Sequence, residues 1–97
     1  MFKFDTLIIG SGLSGIALAL KLAKYHKVGL VTKKSLLDGA SGRAQGGIAA
    51  VLSDEDSLDA HHRDTMVAGA GLCDEAASRY VTGQGRNAIQ WLIDQGT

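Results

Sequence analysis

Gly10-Ser11-Gly12-Leu13-Ser14-Gly15 is the stretch on which the fold turns. It has the spacing G-x-G-x-x-G, and its flanks give that spacing meaning. Before it, Phe4 to Ile9 is a short apolar run ending in Leu7-Ile8-Ile9, continuous rather than alternating, as in a strand buried on both faces of a parallel sheet. After it, from Ser14 to about Tyr25, Ile16, Ala17, Leu18, Ala19, Leu20, Leu22 and Ala23 crowd a helix whose polar face carries Lys21 and Lys24. Val28-Gly29-Leu30-Val31 then reads as a second strand. Strand, glycine turn, helix and strand form one βαβ unit with a right-handed crossover, half of a nucleotide-binding fold.

Each glycine of such a turn has its own reason. The first permits the tight turn, the second lets a diphosphate approach the backbone, and the third lets the helix pack closely on the strand. Unpaired N–H groups at the helix start, with the helix dipole behind them, favour the phosphates. The same fingerprint expects an acidic residue at the end of the second strand, where it would hold the ribose hydroxyls. Thr32-Lys33 stands there instead. A lysine attracts a phosphate that a carboxylate would repel, so this first motif leaves NAD, NADP and FAD open.

From Lys34 to Val51 no helical or strand period is sustained, and Gly39, Gly42, Gly46 and Gly47 crowd together, which marks a loop with a function. Asp54 to Ser57 offer helix N-caps, after which Leu58, His62, Thr65 or Met66, and Gly69 follow at helical spacing up to the stop Ala68-Gly69-Ala70-Gly71. A third helical pattern runs from Asp74 to Gln95, with Ala77, Tyr80, Val81, Gln84, Ala88, Trp91 and Leu92 on one side. Gly83 and Gly85 each weaken it by roughly 1 kcal/mol relative to alanine, so a kink or break is expected there. Gly96 suits a C-cap. The fold class expected is α/β. With a single parallel strand pair legible, and two-stranded sheets marginal alone in water, the chain reads as the N-terminal piece of something longer.

Composition narrows the partners. The 97 residues carry ten Lys plus Arg against ten Asp plus Glu, and 45% are hydrophobic. Zero net charge removes the usual drive toward nucleic acid or an anionic membrane. The apolar start is interrupted by glycine and serine and lacks a basic leader, so it reads as neither signal peptide nor membrane span. The single cysteine, Cys73, cannot close a disulfide within the chain and fits no zinc spacing, which suits a reducing, cytoplasmic setting. Thirteen glycines with no proline depart from the average of about seven and about five per hundred residues, so glycine is used for something specific.

The loop Asp38-Gly39-Ala40-Ser41-Gly42-Arg43-Ala44-Gln45-Gly46-Gly47-Ile48-Ala49-Ala50 carries a resemblance. It resembles the flavoproteins of the succinate dehydrogenase, fumarate reductase and L-aspartate oxidase group, whose Ala-Gln-Gly-Gly loop lies along FAD. Within that group, Asp64-Thr65, Ala68-Gly69-Ala70-Gly71-Leu72-Cys73-Asp74 and Gln90-Trp91-Leu92-Ile93-Asp94-Gln95-Gly96 look like the L-aspartate oxidase branch, in its order and spacing over essentially the whole chain.

The resemblance implies the N-terminal part of a Rossmann-like FAD-binding domain: the βαβ unit, the glycine-rich flavin loop, then helices. Residues 1–97 would belong to that domain, with capping and C-terminal helical domains absent. Gly10 to Gly15 would form the turn, with Ser11, Gly12, Leu13 and Ser14 contacting the diphosphate. Lys33 would lie near the adenosine end, and Ala40, Ser41, Gly42, Arg43, Ala44, Gln45, Gly46 and Gly47 would line the rest of the cofactor. Where covalently flavinylated members have a histidine, five residues before the matching glutamine, this chain has Ala40, which implies non-covalent FAD. The activity implied is oxidation of L-aspartate to iminoaspartate with oxygen or fumarate as acceptor, feeding quinolinate synthase in NAD biosynthesis. The rivals are a soluble fumarate reductase sharing the loop, an NADP-dependent dehydrogenase, for which the second glycine loop has no purpose, and a non-catalytic FAD-binding remnant.

Other reactive side chains read as structural. His61 and His62 sit near Asp59 and Asp64, but adjacent helical positions point about 100° apart, and only His62 falls on the face of Leu58 and Met66. Cys73 reads as a buried inert thiol and Trp91 as core packing, while Arg43 is open between phosphate and solvent. No Ser/His/Asp set, paired carboxylate or cationic substrate clamp can be assembled, so no catalytic residue and no metal ligand is nominated. The isolated chain is expected to supply a cofactor cradle without turnover.

Overall fold

Strands β1 (Thr6–Ile9) and β2 (Val28–Val31) pair in parallel, Thr6 opposite Val28 and Ile9 opposite Val31, with helix α1 (Leu13–Leu22) crossing between them. This computed structural model describes all of residues 1–97, which divide into two compact units, Met1–Gly46 and Gly47–Thr97. The β/α class and the β2 bounds expected from the sequence are those observed. The first strand starts later than expected, at Thr6. Ahead of it, the Asp5 carboxylate accepts from the Lys27 N–H (2.7 Å), and the Phe4 ring lies over Gly29. At the other end, the Gly10 N–H donates to the Val31 carbonyl (2.8 Å), carrying the ladder into the glycine turn.

The strand is covered on one face rather than two. Ile8 is buried and its Cγ2 faces Gly15 of α1, while Leu7 and Ile9 are 55% and 84% exposed. Successive strand side chains point to opposite faces, and α1 lies against only one of them. The helix ends at Leu22, short of Tyr25, because the Leu22 carbonyl accepts from both Tyr25 and His26 in a turn that swings the chain back toward β2.

The second unit contains α2 (Leu58–Ala68), α3 (Glu75–Gly83) and α4 (Gly85–Asp94). Ser57 Oγ caps α2 by accepting from the Ala60 N–H (3.0 Å), and Asp74 Oδ1 caps α3 by accepting from the Ala77 N–H (2.7 Å). The break expected near Gly83 and Gly85 falls at Gln84, which ends α3 and begins α4. That break resets the helical phase. Tyr80 and Val81, expected to face inward, are 70% and 67% exposed. Trp91 and Leu92 are half-buried as expected, and the other packed positions are Ser78, Thr82, Gly85 and Ile89. Small polar residues suffice on α3, because its neighbour presents buried His62, whose Nδ1 lies 3.4 Å from Ser78 Oγ. Cys73 is half-buried, its thiol directed at the Thr65 carbonyl (3.8 Å).

Replacing Asp74 by alanine should lower stability by about 1 kcal/mol, since it orphans a helix-start N–H, whereas asparagine, also a good cap, should cost far less. Denaturant titration of the two variants checks this; equal losses would show that the cap geometry carries no weight. No helix of the chain is long and apolar enough to cross a membrane.

Candidate dinucleotide site

The first unit gathers its glycine turn, the end of β2 and the following loop around one hollow of about 490 Å³. Gly10, Ser11 and Gly12 form one side, Thr32 and Lys33 a second, and Asp38, Gly39, Ala40 and Ser41 a third. Gly10 has φ of +113°, a conformation open to glycine and rare for other residues. A Cβ on Gly15 would overlap the Gly10 carbonyl oxygen, so the helix approaches the turn as closely as a bare backbone permits.

The helix that begins here has no cap of its own. Gly12, its N-cap residue, offers no side chain, and the acceptor comes from the loop: Ser41 Oγ takes the Leu13 N–H at 3.0 Å. The helix ladder starts with the Ile16 N–H on the Gly12 carbonyl (3.0 Å), leaving the amides of Ser14 and Gly15 ahead of it without an intrahelical acceptor. Those amides and the positive end of the helix dipole suit an anion.

The loop is also held from the turn. Ser11 Oγ is hydrogen-bonded to Thr32 Oγ1 (3.1 Å) and to the Leu36 carbonyl (2.9 Å). Further on, Asp38 draws in both flanks of the loop, with Arg43 Nη2 at 2.8 Å from Oδ1 and Lys34 Nζ at 3.5 Å from Oδ2. A short 3₁₀ turn, Ser41–Arg43, lies within this segment. Lys33, Lys34, Asp38 and Arg43 border a second, open hollow beside the first. Two adjoining concavities, one walled by glycine backbone and one edged by cations, suit a long anionic dinucleotide.

A family described as FAD binding domain matches residues 5–97. The chain belongs to this family. Its cofactor is FAD, which decides among the nucleotides that the first turn left open. An L-aspartate oxidase of Ralstonia nicotianae is 56% identical over 94 residues, 97% of this chain and 18% of that protein. L-aspartate oxidases of Yersinia pestis and of Vibrio cholerae are 52% and 48% identical over 92 residues, 95% of this chain and 17% of each relative. The chain therefore spans less than a fifth of the length of these curated relatives.

The residues present fit the flavin nucleotide: the hollow at the turn has no Cβ at Gly10, Gly12 or Gly39, and it is bordered by Gly12, the residue from which α1 starts. Of the positions expected from the sequence, Gly10, Ser11, Gly12, Lys33, Ala40 and Ser41 line the hollow. Gly15 stands behind it, supporting the turn. Three of the expected residues already have partners within the chain. The Leu13 amide is already given to Ser41, and the Ser11 hydroxyl is given to the loop, so neither group is simply waiting for phosphate. Arg43 does not line the first hollow; it borders the second, paired with Asp38 and with its side chain largely in solvent. Gly42 backs onto the Leu37 carbonyl, and Ala44, Gln45 and Gly46 are exposed outside both hollows. Gly47 belongs to the second unit. Sequence reasoning placed Asp38 and Gly39 in the loop without nominating them as lining residues, and for Asp38 a signal existed: an acid between Lys34 and Arg43, just beyond a strand end that lacks the expected carboxylate.

Proposed function

We propose that the whole protein oxidises L-aspartate to iminoaspartate, using non-covalent FAD and oxygen or fumarate as acceptor, at the first step of de novo NAD biosynthesis by way of quinolinate. In this reading residues 1–97 are the N-terminal part of the FAD-binding domain, and capping and helical domains contribute the substrate groups. The observation that carries it is the 56% identity to an L-aspartate oxidase across a segment that includes the whole glycine hollow and its loop.

FAD, when bound, accepts the two electrons and the hydrogen lost from the substrate Cα as the amine becomes an imine. What this chain does is hold and shield it. The turn from Gly10 to Gly15 takes the diphosphate on backbone amides, Lys33 stands at the adenosine end, and the loop from Ala40 to Gly47 runs along the remainder. The methyl side chain of Ala40 offers no atom able to bond the flavin ring, which supports a dissociable cofactor. Passing the electrons to oxygen gives hydrogen peroxide, and passing them to fumarate gives succinate. Iminoaspartate is hydrolytically fragile, which favours prompt consumption by quinolinate synthase in the cytoplasm.

The purified full-length protein is expected to be yellow, to release its colour on denaturation and acid precipitation, and to form peroxide with L-aspartate but not with succinate. Colour that stays with the precipitated chain overturns non-covalent binding. Reduction of the flavin by succinate in place of aspartate overturns the substrate.

A further inference from the structure

We propose that Asp38 reads the vicinal hydroxyls of the adenosine ribose, taking the place of the acid that the end of β2 lacks; this rests on the reading that the hollow at the glycine turn holds FAD. Ribose hydroxyls are neutral donors and are recognised best by an ionised acceptor fixed in place. At the end of β2 no such group exists: Thr32 Oγ1 is engaged with Ser11, and Lys33 can only donate. Asp38 is the only carboxylate among the residues lining the hollow, and it reaches that wall from the loop rather than from the strand.

Its setting is that of a positioned acceptor. Arg43 holds Oδ1 at 2.8 Å and Lys34 lies 3.5 Å from Oδ2, while the side chain remains 25% exposed. A carboxylate has about four lone-pair directions, so one cation on each oxygen leaves acceptor capacity for two hydroxyls. The two ion pairs come from opposite flanks of the loop and bias the carboxylate toward one orientation before ligand arrives, which lowers the side-chain freedom lost on binding. The arrangement also accounts for the cations: Lys34 and Arg43 orient the acid, and Lys33, which has no such partner among the ion pairs, is left for phosphate.

The test uses the full-length protein stripped of FAD, with ADP and 2′,3′-dideoxy-ADP competing against FAD rebinding, followed by flavin fluorescence. The unaltered protein should prefer ADP roughly tenfold, the scale of a hydrogen bond to a charged group. Asp38→Asn should narrow the preference to less than about threefold. Arg43→Ala, which removes one of the two cations that orient the acid but keeps the carboxylate, should weaken both ligands and leave a preference between those of the unaltered protein and Asp38→Asn. An unaltered protein that rebinds FAD yet does not distinguish the two ADP analogues overturns the assignment with no variant needed. So does Asp38→Asn with the full preference, since loop shape and not the carboxylate would then be the reader. Failure of the unaltered protein to rebind FAD at all overturns the cradle itself, a distinguishable result.

Discussion

Gly15→Ala should cost about 3 kcal/mol of stability and abolish FAD retention, because the added methyl would overlap the Gly10 carbonyl oxygen. The overlap is with backbone, so no side chain can rotate away. Either α1 tilts off β1, uncovering Ile8, or the turn deforms where Gly10 already occupies a left-handed conformation. Both relaxations disturb the amides at the helix start. The measurement is a paired one, denaturant stability of the FAD-free protein and an FAD titration. Unchanged values in both would mean that the helix does not approach the turn this closely.

Gly42→Ala should act on the cofactor more than on the fold. A Cβ there would lie 2.5 Å from the Leu37 carbonyl oxygen, again a backbone atom, but in an exposed loop. Relief comes from opening the segment between Leu37 and Gly42, which carries Asp38 away from Arg43 and Ser41 away from Leu13. We expect FAD affinity to fall roughly tenfold or more, with global stability changed by less than about 1 kcal/mol. Gly46→Ala is the companion variant, since nothing lies within 4 Å of a Cβ at that position. It should leave the FAD-free protein unaltered, so any loss of affinity it shows reports contact with the flavin itself. Equal loss of stability in both variants would refute the distinction between a glycine that shapes the loop and one with open space where a Cβ would stand.

The βαβ unit was legible because its determinants are local. Gly10, Gly12 and Gly15 are read from spacing, Leu7-Ile8-Ile9 and Val28-Gly29-Leu30-Val31 from apolar runs, and the helix between them from its crowding of Ile, Leu and Ala. The same locality explains the helix cap at Ser57, within the Asp54 to Ser57 run, and the helix start at Asp74. What escaped depends on groups far apart in the chain. Nothing near Leu13 signals that its amide will be taken by Ser41, and nothing near Ser11 signals a bond to Leu36. The inward face of α3 was misplaced for a different reason, although Trp91 and Leu92 of α4 pack as expected: one continuous period was laid across Gln84, where the helix stops and restarts. The continuous apolar strand likewise suggested two covered faces, although burial of Ile8 against α1 occupies only one.

The hydrogen bond from the Leu13 amide to Ser41 Oγ gives the loop and the turn a common clock. Solvent deuterium reaches that amide only when the hydroxyl lifts away. The exchange rate of a single backbone proton at the head of α1 therefore times an opening event seated 28 residues further along the chain.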